Sequence, residues 1–257
     1  TNSTTADLNI GTAAPGGDLT ATNGNLTISS SRDINFKGST ASATGLVDVD
    51  AGRNIDVGSV AQATISSSNG DIDIDATNDF SLSFAGSSIN TTRSSGASGN
   101  IDIQAGNDLT ANASTTVNAN GAVNGNGGTI NLTGSANTGT GQLNLNGTVN
   151  AAGAGIGNGG TVNLTNNSSQ ILTVGSAPNV AAGGTSGNGG AITVRNTGNG
   201  TANGGIDINS NMIVNATAAT GDADDDQAGP NPNPNPNPNA NPNPNPHPHP
   251  HPHPHPH

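Results

Sequence analysis

Three aspartates recur at one position of a repeated phrase and form the first candidate site in this sequence. Asp48, Asp73 and Asp102 each lie between two aliphatic residues, in the phrases Val-Asp-Val and Ile-Asp-Ile. If these phrases pair as parallel strands of successive coils, the carboxylates stack about 4.8 Å apart. Asp50 and Asp75 then form a shorter row beside them. Ca²⁺ prefers oxygen ligands and would relieve the repulsion within the row. The alternative is an exposed acidic row that solvent and salt screen.

Histidines form the second candidate site, because all six of them alternate with proline at the C-terminal end. They are His247, His249, His251, His253, His255 and His257. Imidazole binds Zn²⁺, Ni²⁺ and Cu²⁺. An extended chain holds neighbouring rings apart, so a metal would bridge two tails more readily than it would close a site within one. We therefore predict no required cofactor, and Ca²⁺ at the aspartate row is the candidate ligand.

The same inventory of residues argues against catalysis. The chain has no Cys, and every His lies in the terminal segment, so the body lacks the usual nucleophile and general base. Its five cations are scattered, and it has no Trp or Tyr to form a sugar-binding platform. We predict that the protein is not an enzyme. The alternative is a polysaccharide-active β-helix enzyme, which would need a working pair of aspartates.

Two further patterns are expected to shape the turns. A row of Asp and Asn precedes the second strand of several repeats, and we predict that its side chains cap turn amides. The row consists of Asp33, Asn54, Asp79 and Asp108. The phrase Asn-Gly-Gly precedes the first strand in later repeats, and we expect it to supply residues that tolerate a positive φ at the corner. It begins at Asn126, Asn158 and Asn188.

Charge limits the partners. The 17 acidic residues are all Asp, against five Lys plus Arg, which gives a formal net charge of −12. Nucleic acids and anionic membrane surfaces attract basic proteins, so neither is expected as a partner. No apolar run approaches the roughly 18 residues of a transmembrane helix, which predicts no membrane insertion. The absence of Cys is compatible with export without disulfide formation, and we expect a chain that starts after processing or is a fragment.

The elements that position these residues follow from a repeat. Strong helix formers are scarce, and short phrases in which two aliphatic residues flank a polar one recur, as in half-buried strands. The first phrase of each unit lies at Leu26–Ile28, Val47–Val49, Ile72–Ile74, Ile101–Ile103, Ile130–Leu132, Val162–Leu164 and Ile192–Val194. From Ile72 onward the spacing is about 30 residues, which favours a β-solenoid over an antiparallel sandwich.

A second phrase and a third element complete each unit. The second phrase lies at Ile34–Phe36, Ile55–Val57, Phe80–Leu82, Leu109–Ala111, Leu143–Leu145, Leu172–Val174 and Ile206–Ile208. Third elements lie at Val117, Val149, Val180 and Val214. The pattern predicts an all-β fold, a parallel β-helix with about three short strands per coil. We expect a solenoid of about eight to nine coils over residues 1–221, an acidic linker over 222–229 and an extended tail over 230–257.

Two sets of these phrases resemble a known family. "NGNLTISSSRDINFKG", "GLVDVDAGRNIDVG" and "GNIDIQAGNDLTANAS" resemble filamentous-haemagglutinin-type repeats, found in two-partner-secreted exoproteins and related bacterial surface adhesins. "GNGGTINLTG", "GNGGTVNLTN" and "GNGGAITVRN" resemble the Gly-Asn-Gly-Gly variant of those repeats. The resemblance covers about residues 5–217 and is specific for architecture, since such repeats are mostly scaffold. It implies a right-handed parallel β-helix that is exported to the cell surface.

The C-terminal tail is expected to be a stiff rod. Each Pro fixes its own φ near −65° and keeps the preceding Asn or His extended. The 28 residues from Pro230 to His257 would then span about 87 Å, at ~3.1 Å per residue. Such a rod is long enough to reach along a neighbouring subunit.

These features predict a structural subunit of an extracellular or cell-surface filament or matrix. We see no capping helix or charged terminal strand at either end, and uncapped coils stack on neighbours. Copies would assemble head-to-tail, the tail would brace them, and other surface or matrix components are further candidate partners. The main alternative is a stalk segment of a surface adhesin. A minor alternative is an ice-binding face, which the mixed side chains of the outward rows disfavour.

Overall fold

The computed structural model describes residues 6–11, 17–137, 139–184, 186–197 and 205–209. Within these ranges the chain forms 21 short strands and no helix. None of the described elements has the helical length and apolar character needed to cross a membrane. The acidic linker, the Pro-rich tail and the strand expected at Val214 lie outside the described residues, so the domain boundaries stay predictions.

The strands form three sheets, and strands that pair with each other come from successive coils. Sheet A contains β3 (Leu26–Ser30), β6 (Val47–Ala51), β9 (Ile72–Ala76), β12 (Ile101–Ala105), β15 (Thr129–Gly134), β18 (Thr161–Asn166) and β20 (Ala191–Asn196). Sheet B contains β1 (Leu8–Ile10), β4 (Ile34–Phe36), β7 (Ile55–Val57), β10 (Phe80–Leu82), β13 (Leu109–Ala111), β16 (Leu143–Leu145), β19 (Leu172–Val174) and β21 (Ile206–Ile208). Sheet C contains β2 (Leu19–Ala21), β5 (Thr40–Ala43), β8 (Thr64–Ser67), β11 (Ser88–Thr91), β14 (Thr116–Asn118) and β17 (Thr148–Asn150).

Every pairing between these strands is parallel, which confirms the prediction of a parallel β-helix. The first phrase of each repeat lies in sheet A and the second in sheet B, as expected from their order. The chain visits the three sheets in turn. Residues separated by one repeat are therefore neighbours across a strand pair, and side-chain columns run along the solenoid.

Alternation within each strand builds the core. In β9, the side chains of Ile72 and Ile74 are buried, whereas Asp73 between them faces outward. Ile74 lies between Val49 of β6 and Ile103 of β12, and all three are fully buried. Full burial of one such side chain stabilises the fold by about 1.5–3 kcal/mol relative to leaving it exposed. Many thin layers of aliphatic residues thus replace the thick aromatic core of an ordinary domain.

Sheet C is the element that the repeat analysis located least well. Val117 and Val149 lie in β14 and β17, but β5, β8 and β11 come from phrases rich in Ser, Thr and Ala. β8 and β11 each bury one large aliphatic side chain, and β5 buries none larger than Ala. They therefore lack the two large aliphatic residues that indicate a strand in most other repeats. Val180 is buried beside an isolated bridge between Asn150 and Asn179.

The Asn-Gly-Gly phrases act differently from the expectation of positive φ. None of their described residues lies in that region, whereas Asn124 does, with φ of 61°. The glycines are required by close approach instead. A Cβ on Gly127 would lie 1.9 Å from the carbonyl oxygen of Ala151, and one on Gly159 would lie 1.8 Å from that of Val180. A side chain at these corners would therefore force the coils apart.

Candidate functional site

The aspartate row on sheet A has the register that the sequence predicts. Asp48 pairs with Asp73, and Asp73 pairs with Asp102, so the three carboxylates lie on consecutive strands of one face. Asp50 pairs with Asp75 in the adjacent column. The five carboxylates therefore share a small area of the surface of β6, β9 and β12.

Burial and the charges of neighbouring carboxylates raise the pKa values of Asp48, Asp73 and Asp75. Partial burial, together with the charges of Asp75, Asp102, Asp48 and Asp50, raises the pKa of Asp73 to about 6. Burial and the neighbouring Asp50 also raise the pKa of Asp48 and the pKa of Asp75. Each shift means that the folded protein disfavours the charged form of the side chain. The row is thus held in place against its own repulsion by the strands beneath it.

The geometry does not gather the row into a metal site. Strands about 4.8 Å apart spread three carboxylates over about 10 Å, whereas Ca²⁺ needs its ligand oxygens within about 2.3–2.6 Å of the ion. Among the described residues, no group of three or more acidic or histidine side chains is arranged to hold a metal ion. The proposal of Ca²⁺ at Asp48, Asp73 and Asp102 stays a prediction. The six histidines lie outside the described residues, so transition-metal binding by them also stays one.

The same column changes chemistry beyond Asp102. Asn131 and Asn163 occupy its next two positions. The Asn163 side-chain amide donates to the Asn131 side-chain oxygen over 2.9 Å, and Asn131 donates to the Asp102 carboxylate over 3.3 Å. An amide is both donor and acceptor, so stacked amides bind each other. Stacked carboxylates have no donor to share.

The corner row performs the capping that its sequence predicts. Each side-chain oxygen in this row accepts the backbone N–H of the equivalent residue in the next coil. The distances are 3.1 Å from Asn54 N to Asp33, 3.2 Å from Asp79 N to Asn54, 3.1 Å from Asp108 N to Asp79 and 2.8 Å from Gln142 N to Asp108. These bonds pair backbone donors that the turn would otherwise leave open. The role is structural.

Salt bridges in the first coils include Asp33, the first member of the corner row. The Arg53 guanidinium donates to both carboxylate oxygens of Asp33, and Arg32 Nε lies 3.1 Å from Asp7 Oδ1. The hydrogen bond from Arg53 is the largest cause that lowers the pKa of Asp33. Arg32 and Arg53, two of the five cationic side chains, therefore form ion pairs in the first coils and are not scattered over the surface.

The two ends of the described solenoid leave core positions open. At the C-terminal end, Ile206 and Ile208 are 46% and 44% exposed, whereas their partners in the preceding coil, Leu172 and Val174, are fully buried. The aliphatic residues that pack only partly against the core are Leu8, Leu19, Ala21, Leu26 and Val194. All of these lie in the first or last strands of their sheets. An additional coil at either end would cover them.

Sequence reasoning missed the first two strands, which form part of the N-terminal edge. β1 contains the phrase Leu8-Asn-Ile10, in which two aliphatic residues flank a polar one, as they do in the other repeats. That signal was available in the sequence. β2 has one large aliphatic residue, Leu19, and no such signal.

No family model, no curated protein and no solved structure matches the chain. The filamentous-haemagglutinin-type resemblance therefore rests on the repeat phrases alone and stays a prediction.

Proposed function

We propose that the protein is a structural subunit of an extracellular or cell-surface filament or matrix, in which copies stack head-to-tail. The core positions left partly or fully exposed at the two ends of the described solenoid carry this proposal. Terminal coils of a solenoid present unpaired backbone groups and apolar side chains, and natural repeat proteins normally cover them with a polar cap. Here the end strands carry Leu8, Leu26 and Ile206 in that position. The end of a second copy would pack aliphatic side chains of the same kind against them.

The outer surface is compatible with this role. The chain carries a formal net charge of −12, which keeps the lateral faces of neighbouring copies apart while the ends remain apolar. Growth along the solenoid axis is then favoured over lateral association of the copies. We expect no nucleic acid and no membrane insertion among the partners, and other surface or matrix components remain candidates.

Assembly of the purified full-length chain tests the proposal. We expect unbranched filaments in negative-stain electron micrographs as the concentration rises, and an axial reflection near 4.8 Å from coils stacked along the fibre. The double substitution Ile206→Asp with Ile208→Asp places charge in the open end and should abolish filaments. Val123→Asp with Ile156→Asp is the matched control, because these aliphatic residues are also exposed, at 70% and 61%, but lie at a corner away from the end strands. A soluble monomer at high concentration would instead favour the adhesin stalk.

The bracing role of the tail needs its own experiment. A chain that ends at Gly229 lacks the Asn-Pro and His-Pro segment and keeps the described solenoid. If the tail braces neighbouring subunits, these filaments will be shorter and will dissolve at lower denaturant concentration. Filaments of unchanged length and stability would remove the tail from the mechanism and leave stacking through the ends intact.

A further inference from the structure

The direction of the backbone hydrogen bonds alternates along each strand of the solenoid. In sheet A the inward residue Ile72 donates its N–H to the carbonyl of Asn100 in the following coil over 2.9 Å. The outward residue Thr161 donates its N–H to the carbonyl of Gly128 in the preceding coil over 3.0 Å. Sheets B and C follow the same rule, in the bonds from Phe80 N to Asp108 O and from Thr116 N to Ser87 O. Inward residues therefore bond to the following coil, and outward residues bond to the preceding coil.

This rule defines the open edge of sheet A at β20. β20 pairs with β18 on one side, and no described strand pairs with its other side. The inward residues Ile192 and Val194 direct their N–H and C=O groups to that other side. Val194 is only half-buried, whereas Leu164, its partner in β18, is fully buried. A strand added here must carry N–H groups on its outward residues and apolar side chains on its inward residues.

The Asn-Pro segment, residues 230–246, has this alternation in its sequence. Asn and Pro alternate throughout, except that Ala240 replaces one Pro. The segment lies outside the described residues. Pro has no N–H and occurs in sheets where that position faces away from a partner strand. With Asn outward, every Asn N–H points to β20, and the Pro rings continue the aliphatic columns of Ile192 and Val194.

Other placements lose these bonds or bury polar groups. With Pro outward, no Pro position would supply an N–H to β20, and the Asn amides would enter the core. An antiparallel strand would also bury Asn, because residues that bond to each other across an antiparallel pair lie on one face. At β3, the opposite edge, an added strand needs N–H groups on its inward residues, where Pro has none. In the acidic linker, the adjacent Asp224 and Asp225 would place a carboxylate on each face.

Head-to-tail stacking leaves a place for one such strand. In each chain β21 follows β20, and β1 precedes β3. If β1 of the next copy pairs with β21 in sheet B, sheet A lacks one strand between β20 and β3 of that copy. These two strands then lie two strand spacings apart, about 10 Å. The Pro carbonyl groups of an added strand would face β3 and accept the N–H groups of its outward residues Thr27 and Ser29.

We propose that the Asn-Pro segment of a neighbouring copy occupies this place as a parallel strand, paired with β20 through its Asn residues and packed on the core through its Pro residues. The inference rests on the proposed function and gives the bracing by the tail a defined contact. The extended tail spans about 87 Å, whereas the eight strands of sheet B stack over about 35 Å. A tail that starts at one end of a subunit therefore reaches the junction at the other end.

Amide hydrogen exchange in filaments tests the pairing at single residues, in the full-length chain and in a chain that ends at Gly229. Without the tail, the amides of Ile192 and Val194 should exchange about tenfold faster or more, because their acceptors are gone. The amides of Ala191 and Thr193 should be unchanged, because outward residues of β20 bond to β18. Faster exchange at all four would mean that β20 loosens as a whole and would count against a paired strand.

The composition of the tail supplies matched variants. Replacing its eight Asn and six His by Pro keeps a stiff extended tail and removes every N–H except that of Ala240. Replacing the same residues by Ala keeps the N–H groups and removes the side-chain amides and imidazoles. The Pro variant should exchange like the chain that ends at Gly229, and the Ala variant like the full-length chain. Equal rates in the two variants would overturn the inference.

Dilution identifies the copy that donates the strand. Below the concentration at which the full-length protein assembles, Ile192 and Val194 should lose their protection. Protection that persists in the dilute monomer would assign the strand to the chain's own tail and overturn bracing between copies.

The outcomes also separate this inference from the proposed function. Filaments in which removal of the tail leaves both amides unchanged overturn the added strand and leave head-to-tail stacking intact. Absence of filaments from the natural chain overturns both. If the shortened chain does not assemble, the Pro and Ala variants decide: assembly of the Ala variant alone supports the strand, and equal behaviour of the two counts against it.

Discussion

Two rows of acidic side chains run along the same solenoid and have opposite effects on it. The face row, Asp48, Asp73 and Asp102 on sheet A, stacks like charges, and the pKa values of Asp48 and Asp73 are raised. The corner row, from Asp33 to Asp108, points each oxygen at a backbone N–H of the next coil. The spacing along the solenoid is the same in both rows. What differs is whether a donor lies opposite each carboxylate, and that decides whether an acidic ladder weakens or stabilises the coils.

The largest difference between the rows should appear when a cap is removed. Asp79 accepts from Asp108 N over 3.1 Å and from the Asn107 side-chain amide over 2.8 Å. Asp79→Ala leaves a turn N–H without its partner and should lower the free energy of unfolding by about 2 kcal/mol. The urea midpoint, followed by circular dichroism, measures the loss. Asp75→Ala in the face region makes the same change of side chain and should leave the midpoint equal or higher.

Neutralising the centre of the face row should have a smaller effect of the opposite sign. Asp73→Asn removes the most perturbed carboxylate and supplies an amide donor to its neighbours. Because the side chain is exposed, solvent screening reduces the gain to about 1 kcal/mol of added stability at pH 7.5. Asp108→Asn removes one charge from the corner row, keeps the acceptor oxygen and should give no gain. A destabilised Asp73→Asn protein would contradict the view that the face row is repulsive.

The pH dependence should have opposite signs for the two rows. The pKa of Asp73 is raised from 3.8 to about 6 in the folded state, so its favourable contribution is complete below about pH 3.8 and is lost as pH rises through about 6. The pKa of Asp33 is lowered from 3.8, so its contribution is present above that pH and is lost as pH falls below it. The free energy of unfolding, measured by urea denaturation, should therefore rise by about a few tenths of a kcal/mol from pH 7.5 to pH 5. It should fall again below pH 3.8.

The variant Asp73→Asn provides the control for this profile. Titration of the tail histidines is common to both proteins and cancels in the comparison. The variant should lose most of the rise between pH 7.5 and pH 5 and keep the fall at lower pH. Parallel profiles for the two proteins would mean that the face row does not set the pH dependence.

The smallest expected effect comes from lengthening the face row. Asn131→Asp adds a fourth carboxylate next to Asp102 and removes the amide donor between them, which should cost about 0.5–1 kcal/mol. Asn144→Asp is the matched control on sheet B, where the paired residues Thr110 and Thr173 are uncharged. Equal midpoints for the two variants would show that stacking of like charges along a column is unimportant here.

The sequence alone was sufficient for much of this arrangement. Alternation located every described strand of sheet A and all of sheet B except β1, because aliphatic residues flank each outward side chain. The repeat then placed Asp73 between Asp48 and Asp102, since parallel strands in an unbroken register keep one residue type per column. The corner caps followed from Asp and Asn at one position before a strand. Sheet C was located poorly, because strands such as Thr40–Ala43 bury only small side chains.

Periodicity, then, determined the fold class, the columns and the residues that share them, because those depend only on which side chains recur one coil apart. Only the tertiary structure decided what each column does, because that depends on the atoms opposite it. Gly127 and Gly159 prove necessary for close approach and not for a positive φ. Leu26, Val194 and Ile206 occupy core positions like many others in the sequence, and they become candidate contacts because they lie at the ends of the described part of the solenoid.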